Sequence, residues 1–234
     1  MINFNNNLEK KLLLLQRNEF LSSNQIAIRK FFGRTLFTKF LINFFQEKNL
    51  AQKVFIKIKK EFDSIKQYLP ENVNNIMDIG CGIGLIDIFL NNHYSDCKKF
   101  YLLDKNIIDN KIVYGFSDNY ESYNINNITK NFLINNNVEE HKINLIDVDN
   151  EFSIQPNSID LFISLVSMGY HYPVSKYLET MKKTSKDNSI FIFDIATEYQ
   201  DINYLKRHFI DIRIVETINL KHPRIRVVCR EIIN

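Results

Sequence analysis

Residues 75–85 read N-I-M-D-I-G-C-G-I-G-L, an apolar run that ends in an acid and then carries three glycines on alternate positions. Glycine loses more backbone freedom on folding than any other residue, so three together mark main chain that a Cβ would obstruct. Directly behind a strand, that need arises at a tight turn or where a ligand lies against the backbone. From Ile76 onward short apolar runs alternate with helical periodicity. Ile76 to Ile79, Phe100 to Leu103, Ile143 to Ile146, Leu161 to Val166 and Ile190 to Ile195 read as strands. Leu85 to Asn92, Ile128 to Ile134, Val174 to Thr184 and Ile202 to Phe209 read as helices between or after them. That alternation predicts an α/β fold with a doubly wound, mostly parallel sheet. Ile212 to Leu220 and Ile225 to Ile232, joined through K-H-P-R, predict a closing antiparallel hairpin and a sheet of about seven strands. In such a sheet ligands bind beyond the carboxyl ends of the strands, which is where the glycine loop falls.

The first 70 residues have a different rhythm. Leu8, Leu12 and Leu15 keep helical spacing, as do Phe55, Ile58, Phe62, Ile65 and Leu69, until Pro70 stops the pattern. Between them Phe32, Leu36, Phe40 and Phe44 form a further stripe, read as one helix. A helical segment therefore precedes the sheet.

Several function classes lose support from composition. Cys81, Cys97 and Cys229 share no metal-ligand spacing and are odd in number, so no disulfide framework or metal is expected, and a reducing, cytoplasmic compartment is the expectation. The longest aromatic-rich stretch is interrupted by Arg34 and Lys39, so no membrane span is expected. A net charge of +3 gives no global argument for nucleic acid, although Lys206, Arg207, Arg213, Lys221, Arg224, Arg226 and Arg230 gather near the C-terminus. The oligomeric state has no sequence signature here.

A dinucleotide-binding fingerprint, G-x-G-x-x-G, needs a glycine at position 85, and Leu85 stands there. Asp78, two residues before the first glycine, suits a cationic group better than a pyrophosphate. With D-I-G-C-G-I-G after the first strand, Asp104 after the second, I-D-V at 146–148 and S-I-D-L-F-I-S leading the fourth, the chain resembles the class I S-adenosylmethionine (SAM)-dependent methyltransferases over about residues 75–232. The closing hairpin fits the same resemblance. It implies a Rossmann-like SAM-binding domain over 73–234 and a lid or substrate segment over 1–72. It implies that Asp78, Gly80, Cys81, Gly82 and Gly84 surround the methionine part of SAM. It implies that Asp104 accepts from the ribose hydroxyls and that Lys105 beside it also contacts the cofactor. It implies too that Asp147 and the Val148 N–H meet the adenine, with Asp149 an alternative to Asp147, and that Ser164, at the fourth strand end, contacts the cofactor.

Beyond that strand, the stretch S-L-V-S-M-G-Y-H-Y-P lacks the Asn/Asp-Pro-Pro-aromatic pattern of base-amine methylation, a Pro-Cys nucleophile, and the acids of a metal-dependent type. His171 is a candidate general base for an acceptor hydroxyl, with Tyr172 and Asp194 as further catalytic candidates and Tyr170 as an acceptor contact. Tyr114, Phe116 and Tyr123 in the insertion 111–124, together with G-Y-H-Y-P, resemble a group of uncharacterised bacterial sugar O-methyltransferases. Arg34, beside Gly33, is a candidate for a substrate phosphate or carboxylate. The expected reaction is O-methylation of a small sugar, a nucleotide-linked sugar or another surface-polysaccharide intermediate. RNA or protein methylation, a nicotinamide oxidoreductase and a SAM-binding module without turnover are the alternatives.

Overall fold

The computed structural model describes residues 2–44, 47–107, 124–198, 202–218 and 223–233. The N-terminal helices are α1 (Asn7–Gln16), α2 (Ser23–Phe32), α3 (Arg34–Leu41) and α4 (Glu47–Ile65). Local chemistry sets their starts. The Asn6 side chain accepts the N–H groups of Leu8 and Glu9, and Ser22 forms a capping box with Gln25. The single helix expected through Phe32, Leu36 and Phe40 is two helices, because Gly33 sits at φ +86° and turns the chain between α2 and α3.

The sheet then runs β1 (Asn75–Ile79), α5 (Leu85–His93), β2 (Lys99–Asp104), α6 (Asn126–Asn135), β3 (Ile143–Asp147) and β4 (Ile159–Ser164). A short extended segment β5 (Ser167–Tyr172), α7 (Ser175–Thr184), β6 (Ser185–Ala196), α8 (Ile202–Leu205), β7 (Phe209–Ile218) and β8 (Arg224–Ile232) complete it. Seven strands pair in the order β3-β2-β1-β4-β6-β8-β7. β1, β2, β3, β4 and β6 are parallel, and β8 is antiparallel to both β6 and β7, as the sequence predicts. Two local differences stand out. Phe209 begins β7 instead of ending a helix, and residues 167–172 leave the line of β4 to pack beside β6.

Because successive strand residues face opposite sides, the sheet makes two cores. One joins Ile76, Leu102, Leu161 and Ile192 to Leu12, Leu13, Val54 and Ile58 of the N-terminal helices. The other joins Met77, Phe162, Phe191 and Phe193 to Leu178, Met181 and Leu205. The helical segment thus shares a core with the sheet. Phe4 packs on Phe132 of α6 at 5.4 Å between ring centroids. The Asn3 backbone exchanges hydrogen bonds with the Asn136 side chain at 2.8 and 3.0 Å.

A buried ionic chain fastens the same layer. Arg226 of β8, fully buried, donates to both Asp194 oxygens at 2.7 and 2.9 Å, to Ser64 Oγ at 2.7 Å and to Glu216 at 3.1 Å. Its Nη1 also lies 3.5 Å from the backbone carbonyl of Glu61, whose carboxylate accepts two bonds from Arg17 at 3.0 Å each. Asp194 and Arg226 are register partners in the antiparallel pair β6–β8, so the sheet itself aims them at each other.

Candidate functional site

The carboxyl ends of β1 and β2 hold the glycine loop. Gly80 and Cys81 donate their N–H groups to the Leu103 carbonyl at 2.7 and 3.2 Å, which binds the loop to β2. Gly80 has φ +78°, and a Cβ there would sit 1.7 Å from Ser167 Oγ and 2.8 Å from Tyr172 Oη. Gly82 has φ +57°, and a Cβ there would sit 2.7 Å from Gln16 Oε1. Bare backbone is therefore required by the protein's own side chains, which close on the loop from two sides. Gly84, at φ +78°, starts α5 and packs on Leu133.

Asp104 accepts the Gly82 N–H at 2.7 Å and the Lys105 N–H at 2.8 Å. A carboxylate offers about four lone-pair positions, so two accepted bonds leave room for ligand hydroxyls. Burial is the main reason its pKa is pushed up to about 6, against the two backbone donors that lower it. Asp78 at the end of β1 and Asp87 on α5 are both almost fully buried. Burial pushes Asp78 well above the ordinary carboxylate range, with the charges of Asp87 and Asp104 adding to it and Arg17 opposing. Asp87 is pushed up to about 7, again chiefly by burial, with its bond to Asp78 opposing. Among the described residues no other side chain donates to either Asp87 oxygen, so the bond between the two acids exists only when one of them carries a proton. Two buried carboxyls and the half-buried Asp104 thus gather at one loop, where a cation would favour their ionised forms.

This has a measurable consequence. An acid whose pKa rises on folding binds more protons folded than unfolded, so its contribution to stability is greatest at low pH and falls as pH rises. For Asp87 the window runs from the ordinary value near 4 to about 7. The advantage of Asp87→Asn over wild type is expected to be about 2 to 3 kcal/mol larger at pH 8 than at pH 5. Urea unfolding at both pH values checks this; equal differences at the two would show that Asp87 is ionised throughout.

The other expected site residues divide. Tyr172 is brought to the loop: its Oη lies 2.9 Å from Ser167 Oγ, above Gly80. Burial raises its phenol well beyond the ordinary value, so it stays protonated, and either hydroxyl of the Ser167–Tyr172 pair can be the donor. His171, half-buried, precedes it on the same segment. Tyr170 lies in β5, and Arg34 opens α3. Tyr114, Phe116 and Tyr123 fall outside the described residues. Cys81 is buried within the loop, and burial raises its thiol well above the usual range.

Three expectations are corrected. Asp194, expected as a catalytic candidate, is instead fully buried with both its oxygens held by Arg226 and Arg224 Nε 3.2 Å away. Ser164 is also fully buried, donating to the Ile79 carbonyl at 2.6 Å and accepting the Met168 N–H at 2.9 Å, so it ties β4 and β5 to β1. The Val148 N–H, expected on a purine ring, donates to the Asp104 carbonyl at 3.1 Å. Asp147 is at the end of β3, partly exposed, accepting from the Asp149 N–H at 3.2 Å and Asn150 Nδ2 at 3.0 Å. Lys105 Nζ lies 3.6 Å from Asp149.

Two residues at the loop have no signal in the sequence pattern. Gln16, the last residue of α1, accepts the Ile83 N–H at 3.2 Å. Arg17 follows it, bonded to Glu61 and close enough to lower the Asp78 pKa.

Comparison of the sequence with known protein families and with curated proteins finds no match. Solved structures do match by shape. The tRNA (m1A58) methyltransferase TrmI from Aquifex aeolicus superposes with a TM-score of 0.50 at 12% identity, over 76% of this chain and 69% of that one. A transferase from Pyrococcus horikoshii gives 0.49 at 15% identity over 74% of this chain, which spans 63% of its length. A SAM-dependent methyltransferase from Mesorhizobium loti gives 0.49 at 14% identity over 73% of this chain and 97% of that one. The strand order, the antiparallel finish and the superposition agree: the chain has the Rossmann-like fold of the class I SAM-dependent methyltransferases.

Proposed function

We propose that the chain is a SAM-dependent methyltransferase acting on a hydroxyl oxygen of a small, sugar-like acceptor. The observation that carries the cofactor reading is the convergence of Asp78, Asp87 and Asp104 on the glycine loop. SAM supplies an electrophilic methyl on a sulfonium and carries a cationic amino group. The chain's residues fit it. Asp78, with Asp87 behind it, offers negative charge to the ammonium, and the positive charge draws both acids toward their ionised forms. Asp104 takes the ribose hydroxyls while its bond to Gly82 holds the loop at the right height. Tyr172 and Ser167 define the wall over Gly80. Residues 1–72 serve as the opposite wall, through Gln16, and exclude water from 73–234, the cofactor-binding part.

For the acceptor, His171 is the group that takes the hydroxyl proton onto its imidazole nitrogen. Placement contributes more than basicity: holding the acceptor oxygen in line supplies about 7 to 11 kcal/mol of barrier reduction. A nucleic-acid acceptor finds less support. Arg224 and Arg226 of the basic C-terminal group are buried, and Arg230 faces Asp211 at 3.6 Å on the surface, so two of its charges lie inside the protein and a third is paired.

Labelled SAM incubated separately with total RNA, total protein and low-mass sugar nucleotides tests the substrate class. Label in the small-molecule pool is expected. Label in RNA that falls steeply with salt, as phosphate contacts require, would replace this reading.

A further inference from the structure

We infer that α2 and α3 form a docking surface for an anionic lipid bilayer. Among the described residues the exposed large apolar side chains concentrate here: Ile28, Phe31, Phe32, Leu36 and Phe40 all lie within thirteen positions. Phe31 is 85% exposed, Leu36 73%, and Phe32 and Phe40 61% each. Isolated exposed apolar residues are ordinary on protein surfaces, but a cluster that includes aromatic rings marks an interaction face. The two helices are not short of core contacts. Phe37, Thr38 and Leu41 of α3 are buried, and Leu36 and Phe40 form a second apolar stripe turned away from them. Phe31 and Phe32 meet edge to face at 5.0 Å, a pair of rings held together at the surface.

Charge selects the occupant. Residues 22–44 contain Arg29, Lys30, Arg34 and Lys39 and no acid; Arg29 is buried and turned inward to the Leu14 carbonyl and Asn18. Lys30 and Lys39 are exposed beside the apolar side chains. A second copy of the chain would bring the same basic patch against itself across a two-fold axis, which is unfavourable. An anionic membrane surface satisfies both features, with rings in the headgroup boundary and lysines at the phosphates. No helix among the described residues is long and apolar enough to cross a membrane, so α2 and α3 lie on the bilayer. α3 packs on α1, whose last residue touches the glycine loop, so docking sets the site beside the lipid surface. The inference does not depend on the reading of the cofactor.

Co-sedimentation with phosphatidylcholine vesicles, with and without phosphatidylglycerol, tests it on the full chain. Binding to the phosphatidylglycerol vesicles is expected to exceed that to pure phosphatidylcholine by about tenfold or more, and to weaken with salt. Lys30→Glu with Lys39→Glu is expected to abolish the preference for anionic lipid. Phe31→Ser with Leu36→Ser is expected to abolish sedimentation. All four side chains are exposed, so circular dichroism and melting should match wild type and separate lost binding from lost fold. Two results overturn the inference: no sedimentation with either vesicle, or a wild-type dimer in size exclusion that Phe31→Ser with Leu36→Ser dissolves while vesicles have no effect.

Discussion

Asp194→Ala is expected to destabilise the protein by about 3 to 5 kcal/mol, because it strands the fully buried Arg226 without its carboxylate. Arg226 retains Ser64 and Glu216, but neither replaces two short bonds to one anion at 2.7 and 2.9 Å. The loss reaches the site, since the same chain of charges runs through Glu61 to Arg17 and fixes the end of α1. Asp194→Leu combined with Arg226→Met should recover part of the stability, because the apolar pair carries no desolvation cost while the buried Arg224 still loses its carboxylate. Urea unfolding reads both. Unchanged stability with lost turnover would return Asp194 to the catalytic group.

His171→Ala is expected to lower turnover by about 10² to 10⁴ while leaving SAM affinity nearly unchanged, the pattern of a lost general base. The neighbouring Tyr172 is a poor substitute: its phenol is buried, raised well above its ordinary value and bonded to Ser167. Wild-type turnover should also fall as acid protonates the imidazole, since only the neutral ring accepts a proton. Tyr172→Phe removes the hydroxyl above Gly80 and should weaken SAM instead of flattening that pH profile. An unchanged rate and profile in His171→Ala would make His171 a structural residue of the β5 segment.

The sheet was legible because parallel strands buried on both faces read as short apolar runs, and β1, β4 and β6 are of that kind. Asp78, Asp104 and the glycines were legible because strand ends and bare backbone leave local signals. Asp194 looked the same from the sequence, an acid ending an apolar strand, and its partner lies 32 residues away across an antiparallel register. Only pairing shows that its charge is used. Asp87 does leave a trace, an acid inside the apolar run L-I-D-I-F-L, which on the buried side of a helix demands a partner. Gln16 and Arg17 leave none, since a polar residue closing a helix is ordinary. The stripe through Phe32, Leu36 and Phe40 was periodic yet faces outward, because periodicity reports an apolar face and not what covers it.

The account stands on the acids around the glycine loop receiving a cationic nucleoside, and isothermal titration of the full chain with SAM, S-adenosylhomocysteine and NAD measures that directly. Binding of SAM and S-adenosylhomocysteine but not NAD is expected, with SAM affinity rising between pH 5.5 and 7.5 as the raised acids near 6 and 7 ionise. Asp104→Ala should weaken SAM by about 2 to 4 kcal/mol, the loss of two charge-assisted hydrogen bonds. Heat with NAD and none with SAM, or SAM affinity indifferent to both pH and Asp104, would contradict the account.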